Sequence, residues 1–439
     1  MTTLFAARAQ MATSLAFHII FAAIGIGMPV LMVLAERHWL RTGDRLALEL
    51  AHRWAKGTAI LFAVGAVSGT VLSFELGLLW PGFMGFAGAI IGMPFSLEGF
   101  AFFTEAIFLG IYLYGWDRIS PRAHLRAGVL VAISGALSGV FVVIANAWMN
   151  APTGFTMVNG EVTAVDPIAA MATPAGLSQA LHMTLAAYAA TGFAAAGVHA
   201  FLLRRRRGSG FHRLGLRFAL QLAVPAALLQ PLSGHYSGQV VAELQPVKLA
   251  AMESLFTTRE RAPLLLGGWP DVEARRVRAG LELPGMLSWL AHGDPAARVT
   301  GLDAVPRRDW PDVRVTHLAF QVMVALGSYL ALVALLVAWR AVRRRATAEA
   351  PWLLALLVAA GPMGFLAIEA GWVVTEVGRQ PWVIQGVLRT SDAVTPMPGI
   401  AWSLGLFTLL YCFLAVMVVF LLRRQVLEDP IVARERDGR

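Results

Sequence analysis

Cysteine is nearly absent: Cys412 is the only one in 439 residues, which excludes an intrachain disulfide and any cysteine-held metal cluster. Charge is scarce as well. Only 14% of residues are charged against 57% hydrophobic, which excludes a water-soluble domain of this size. Repeats of roughly 20 to 50 residues are missing, so a solenoid is excluded too. What the chain does have is long apolar runs. Read at the roughly 20 residues needed to cross a bilayer, they fall near 11–35, 57–80, 91–115, 127–149, 178–203, 216–236, 315–339, 352–376 and 400–422. The expected fold is all-α, a polytopic transmembrane bundle of about nine helices. The first run carries Met28-Pro29 and is followed by a basic loop, so it reads as a retained helix rather than a cleaved signal.

The net charge of +9 does not point to nucleic acid, because the basic residues alternate from loop to loop. Arg37, Arg41, Arg45, Arg53 and Lys56 follow the first segment, and Arg118, Arg122 and Arg126 the third. Arg204 to Arg207, Arg213 and Arg217 follow the fifth, Arg340 and Arg343 to Arg345 the seventh, and five more end the chain. The positive-inside rule makes that side cytoplasmic, with the N-terminus outside and the C-terminus inside. The other side has Arg8, Arg379 and Arg389, plus ten basic residues in one long loop, 237–314. That loop opens with an amphipathic stretch, Gln239 to Glu253, expected as a surface helix. Its remainder, rich in Arg, Pro, Gly and Asp, is expected to be loosely ordered.

Ionisable and metal-binding side chains in hydrocarbon cost roughly 2.5 to 3.5 kcal/mol on insertion scales, so each requires a reason. The candidates are His18, Glu75, Glu98, Glu105, His182, His199, Met323, Glu369 and Glu376. At roughly 1.5 Å per residue, His18, His182, Met323 and Glu376 all fall in the outer half. His199 falls at the inner end beside Arg204 and reads as interfacial. Histidine, methionine and carboxylate at matched depth fit haem iron held between helices. Helix-packing histidines and a lipid-facing methionine fit the same spacing. Glu98 and Glu105, seven apart, share one helix face and can relay protons. Arg379 follows Glu376 by three residues and can hold its carboxylate ionised or bind a propionate.

Taken together, certain motifs resemble subunit I of the cytochrome bd quinol oxidases along nearly the whole chain. They are Arg8-Ala-Gln-Met with His18, Glu98-Gly-Phe-Ala-Phe-Phe-Thr-Glu105 with Gly115-Trp-Asp-Arg118, and Asn146-Ala-Trp-Met. Gln245-Pro-Val-Lys-Leu-Ala-Ala-Met-Glu253 and Glu376-Val-Gly-Arg-Gln-Pro-Trp382 complete the set. The resemblance implies His182 and Met323 as axial ligands of a low-spin haem b. It implies His18 and Glu376 as ligands of two high-spin haems, one haem b and one haem d or a haem b in its place. It implies Trp372 between the haems, Arg379 beside the Glu376 ligand, Lys248 and Glu253 in a quinol-binding loop, and Glu98 and Glu105 in proton delivery. It further implies a second large membrane subunit (subunit II), small single-helix subunits, and residence in a bacterial cytoplasmic membrane. Quinol would be oxidised on the outer face and oxygen reduced with cytoplasmic protons, conserving energy without a pump. Three departures are visible: Gln321 where familiar members have Arg, Ser73 where they have Glu, and His235 where they have Asp. They resemble the cyanide-insensitive branch.

A heme-copper oxidase would need an adjacent histidine pair, and there is none. A cytochrome b of the bc class would need histidines paired within transmembrane helices, whereas His38 and His52 are expected in the first cytoplasmic loop. The rival from another class is a haem-free, proton-coupled transporter using Glu98 and Glu105.

Overall fold

The computed structural model describes residues 2–205, 209–343 and 350–425. Arg206, Arg207, Arg344, Arg345, Arg434, Arg436 and Arg439, counted above with the cytoplasmic charges, lie outside the described residues. In chain order the helices are α1 (Thr3–Thr42), α2 (Arg45–Leu79), α3 (Pro81–Tyr114), α4 (Pro121–Asn150), α5 (Pro167–Met171), α6 (Gly176–Arg205) and α7 (Gly210–Leu244). Then follow α8 (Pro246–Met252), α9 (Met286–His292), α10 (Val313–Val342), α11 (Pro351–Val377), α12 (Thr390–Ala393) and α13 (Ile400–Gln425). Among the described residues nine of these, α1 to α4, α6, α7, α10, α11 and α13, are long and apolar enough to cross a membrane. The multi-pass helical bundle expected from hydropathy is therefore present.

The helices outrun their apolar cores. The Thr2 hydroxyl accepts from Phe5 N at the start of α1, and Gly43 ends it in the left-handed region at φ 72°. The Asp44 carboxylate then caps α2 by accepting from Leu46 N at 2.9 Å. The connection is just these two residues. His38 and His52, expected in a loop, therefore lie within α1 and α2. A helix that leaves the bilayer keeps its backbone bonds while water solvates its charged side chains, so hydropathy underestimates its length.

Small residues set the packing of the bundle, as they must where lipid supplies no hydrophobic drive between helices. A Cβ on Gly364 of α11 would sit 2.4 Å from Ala190 Cα of α6, and one on Gly192 of α6 would sit 2.7 Å from Ala223 N of α7. Around these approaches α6, α7, α10 and α11 bury Phe193, Leu216, Val333 and Leu357. A second core, from α1, α2, α3 and α7, buries Leu31, Leu50, Tyr112 and Phe218. α13 lies at the margin and exposes Trp402, Leu406, Leu409, Phe413 and Val416, a face made for lipid or a partner helix.

The long loop departs from expectation. α7 runs on to Leu244, so the stretch after 236 is first helix and only then loop. α8, expected on the surface, is buried along Lys248 to Met252. The remainder is folded rather than loose: antiparallel pairs join Leu264–Leu266 to Leu281–Leu283, Trp269–Asp271 to Arg276–Arg278, and Arg259–Glu260 to Arg298–Val299. Leu249, Leu255, Phe256, Leu287, Val299, Leu302 and Val313 give it a core of its own. Short apolar clusters such as Leu249 to Met252 and Leu255-Phe256, scattered through a polar stretch, supply that core, which composition averages away.

Candidate functional site

His18 of α1 has its Nδ1 2.9 Å from the Ser68 hydroxyl of α2. The Ser68 hydroxyl lies 3.0 Å from Val64 O and 3.1 Å from Gly65 O. A hydroxyl has one proton, and a carbonyl can only accept it, so Ser68 donates to the backbone and accepts from His18 Nδ1–H. The Nε2 lone pair is thereby left to bind a metal. The ring abuts α2 through Cε1, to which a Cβ on Gly69 would stand at 3.0 Å.

His182 of α6 repeats the device with α7. Its Nδ1 is 3.0 Å from the Ser233 hydroxyl, which donates to Gln230 O at 2.9 Å. The Gln230 amide nitrogen stands beside the ring, 3.2 Å from Nε2 and 3.3 Å from Nδ1, and donates to His182 O at 3.2 Å. Met323 of α10 presses its thioether on α11, where a Cβ on Gly371 would meet Sδ at 3.1 Å. Trp372, next along α11, joins a cluster with Leu15, one turn before His18, and with Ile19 and Met183, the residues that follow His18 and His182.

Glu376 ends α11 between two donors. Asn146 Nδ2 of α4 donates to its Oε1 at 2.6 Å, and Arg379 Nη2 to its Oε2 at 2.5 Å. Arg379 is only 2% exposed, yet its Nε and Nη1 have no hydrogen-bond partner among the described residues. A buried guanidinium with idle donors is ready for an anion such as a propionate. From Asn146 the bonds run on. Asn150 Nδ2 donates to Asn146 Oδ1 at 3.0 Å, and Lys248 Nζ donates to Asn150 Oδ1 at 2.6 Å and Gln245 Oε1 at 2.8 Å. Burial pushes the Lys248 ammonium well below the usual lysine range; Arg379 adds to this and Glu376 opposes it.

Glu253, five residues on, turns elsewhere. It accepts from Leu265 N at 3.5 Å, and burial raises its carboxyl to about 8. Lys248 and Glu253 therefore do not share a partner: the lysine is tied to Glu376, the glutamate to the folded loop. Gln321 Nε2 donates to Leu265 O at 3.0 Å and its Oε1 accepts from Gly267 N at 2.9 Å. The residue that departs from the familiar arginine thus pins the loop to the helix that carries Met323.

Glu98 and Glu105 do share a face of α3, turned to α4. Ser138 donates to Glu98 at 3.1 Å, and a Cβ on Gly135 would stand 3.1 Å from the Glu105 carboxylate. Glu75 is buried and accepts from Gln10 and Ser14, each at 2.9 Å. Ser73 bonds its own helix at Gly69 O. His199, expected at the interface, is buried and lies 3.1 Å from His212. Ser68, Ser233, Asn150 and Gln230 went unread in the sequence. Two asparagines four apart at the end of an apolar run were a usable signal; serines among alanines and glycines were not.

No three His, Cys, Asp or Glu converge among the described residues. That suits haem, whose porphyrin fills four iron positions and asks the protein for one or two. Imidazoles held through Nδ1, a thioether and a carboxylate with an idle guanidinium beside it fit the group.

With nine apolar helices among the described residues and this donor set on α1, α4, α6, α10 and α11, the chain is a multi-pass membrane protein of the oxidoreductase class. The model of the cytochrome bd terminal oxidase subunit I family matches residues 6–430, and the chain belongs to that family. It is 38% identical over 436 residues to a Bacillus subtilis (strain 168) chain named as a candidate cytochrome bd menaquinol oxidase subunit I, covering 98% of each. It is 31% identical to the cytochrome bd ubiquinol oxidase subunit 1 of the same strain, over 97% of this chain and 94% of that one. The solved structure of bd oxidase from Geobacillus thermodenitrificans is similar at a TM-score of 0.91 and 40% identity, over 98% of this chain and 99% of that one.

Proposed function

We propose that this chain is the haem-bearing catalytic subunit of a bacterial quinol oxidase, oxidising quinol beside the long loop and reducing oxygen within the bundle. Its reaction class, quinol:oxygen oxidoreduction, is that of its family. One observation carries the reading: His18 and His182, on separate helices, each give Nδ1–H to a serine and keep Nε2 as a lone-pair donor.

In this reading His182 and Met323 hold a low-spin haem b. His18 and Glu376 each hold a high-spin haem, one a haem b and one a haem d or a haem b in its place. Trp372 stands between them, and Arg379 offers Nε and Nη1 to a propionate. Bound there, haem supplies electron transfer and an open iron position for oxygen. Lys248 and Glu253 flank the quinol, with Glu253 as proton acceptor. Glu98 and Glu105 pass protons from the basic, cytoplasmic side, with the N-terminus outside. Quinol protons leave on one face and oxygen takes protons from the other, so each charge moved stores about 2.3 kcal/mol per 100 mV. A second large subunit and small single-helix subunits cover part of the exposed apolar faces, and the bacterial inner membrane the rest. An optical spectrum with haem extraction tests the whole: low-spin and high-spin signals are expected. Absence of haem absorbance would overturn the reading in favour of the proton-coupled transporter that Glu98 and Glu105 also permit.

Ser233→Ala removes the acceptor that fixes the His182 tautomer. The low-spin haem is expected to bind about 10- to 100-fold more weakly, the usual scale for a ligand's supporting hydrogen bond. Haem titration of the variant checks this, and unchanged affinity would count against it.

Glu253 sets a pH dependence. With its carboxyl raised to about 8, it is protonated at neutral pH and accepts a proton only as pH climbs through that value. Quinol oxidation limited by this step therefore rises with pH through about 8. Glu253→Gln is expected to slow it about 10²-fold with haem content intact and to abolish the rise. A variant with the wild-type profile would remove Glu253 from the quinol step.

A further inference from the structure

At the basic end of the bundle three buried polar side chains meet that no part of the reading above uses. Glu36 of α1 and His124 of α4 are 0% and 2% exposed, and His124 Nδ1 lies 2.9 Å from Glu36 Oε1. His124 Nε2 lies 2.8 Å from the Tyr112 carbonyl of α3. That carbonyl can only accept, so Nε2 carries a proton, and the Nδ1···Oε1 contact must then hold exactly one more. Either Glu36 is a neutral acid facing a neutral imidazole, or a carboxylate faces an imidazolium. Whichever partner carries it, the pair stores one transferable proton.

Two groups beside this contact are only weakly engaged. Glu36 Oε2 and the Tyr112 hydroxyl are buried with no well-formed hydrogen bond among the described residues, yet Tyr112 and Glu36 lie close enough for a weak one to each other. Orphaned polar atoms in a membrane protein are costly and need a reason. Tyr112 also continues a series. Glu98, Glu105 and Tyr112 follow one another at seven-residue intervals and so share one face of α3.

α4 answers that face position by position. Ser138 bonds Glu98; a Cβ on Gly135 would meet the Glu105 carboxylate at 3.1 Å, and one on Gly128 the Tyr112 ring at 2.8 Å; His124 closes the row. The missing side chains at Gly128 and Gly135 leave room for polar groups along the seam of α1, α3 and α4. From Tyr112 to Glu105 is about 10 Å along the helix, past buried Leu109 and Val131, so a proton passing between them needs intervening water admitted as the side chains move.

We propose that the Glu36–His124 pair, with the Tyr112 hydroxyl, is the proton-holding station at the cytoplasmic mouth of the path to Glu105. This rests on the reading of Glu105 as a proton carrier for oxygen reduction. A proton arriving from the cytoplasm takes the free Glu36 carboxylate oxygen, and the stored proton leaves toward Tyr112 and Glu105. One enters for each that departs, and the pair returns to its starting charge. The Trp116 ring leans on His124, tilted by 41° at a centroid separation of 4.0 Å, and His52 in turn stacks on Trp116 at 3.9 Å. Half-buried His52 also feels Glu49, Lys56 and Asp117, so the roof of the station carries both signs of charge.

The test uses the complete oxidase, fully reduced and mixed with oxygen, with haem reoxidation and proton uptake followed together in H2O and D2O. Glu36→Gln is expected to keep full haem content and to slow proton uptake about 10²-fold, the scale of a missing positioned proton carrier. Its solvent isotope effect should exceed that of the wild type, and Glu36→Asp should recover part of the rate. A structural role would lower haem content or stability without raising the isotope effect. Glu105→Gln is measured in parallel. Slow uptake in Glu105→Gln with wild-type uptake in Glu36→Gln would overturn the station and leave the Glu105 path standing. Wild-type uptake in Glu105→Gln would overturn both. Should Glu36→Gln fail to assemble, Tyr112→Phe decides, because it removes only the hydroxyl that faces Glu36: slowed uptake supports the station and unchanged uptake overturns it.

Discussion

Met323→Leu is expected to abolish the low-spin haem signal while the oxygen-reducing haem keeps its absorption. Leucine nearly matches methionine in volume, and such swaps usually cost less than about 1.5 kcal/mol, so α10 should still pack on α11 at Gly371. What leucine lacks is a donor atom. Of the two side chains that would hold the low-spin haem, only His182 would remain able to bind it, and the low-spin signal needs both. If quinol electrons enter at that centre, as proposed, oxygen consumption driven by quinol should then fall at least about 10²-fold, whereas chemical reductants should still reduce haem held by His18 and Glu376. An unchanged low-spin spectrum would remove Met323 from the ligand set. Gly371→Ala is a graded control, since its Cβ would stand 3.1 Å from Sδ. A shift of the band is expected there, not its loss.

How much of this was legible beforehand varies from residue to residue for physical reasons. The nine helices were, because bilayer thickness imposes a run length that sequence must honour. The pairing of Glu98 with Glu105, and of Glu376 with Arg379, followed from helical periodicity alone. Helix ends were not legible, since past the bilayer nothing in hydropathy distinguishes solvated helix from loop; His38 and His52 were misplaced for that reason. The hairpin Phe155–Val158 with Glu161–Val165 has its sequence signal in Asn159-Gly160, both at positive φ, but that signal is short beside the apolar runs around it. The tie from Lys248 to Glu376 was out of reach: it joins residues from α4, α8 and α11 that only tertiary packing brings together. Ser68 and Ser233 were hidden for a different reason. A serine that orients an imidazole and a serine that lets helices approach look alike in sequence.

Glu376→Gln should separate the oxygen site from the quinol site. The amide keeps an oxygen that can still accept from Asn146, so the chain of bonds through Asn150 to Lys248 can persist. What disappears is the negative charge facing Arg379, whose remaining nitrogens are already idle. Removing one partner of a buried ion pair costs about 3 to 5 kcal/mol, and the lower end applies because Glu376 keeps part of its surface open. Less stable but folded protein is expected, with one high-spin haem lost from the spectrum, the low-spin signal of His182 and Met323 retained, and oxygen reduction down by at least about 10²-fold. Quinol affinity should be preserved, since Lys248 keeps its partners. Glu376→Ala removes the acceptor for Asn146 as well, so it should weaken quinol binding in addition. If the two variants bound quinol alike, the network from Glu376 to Lys248 would be packing and not a link between the sites.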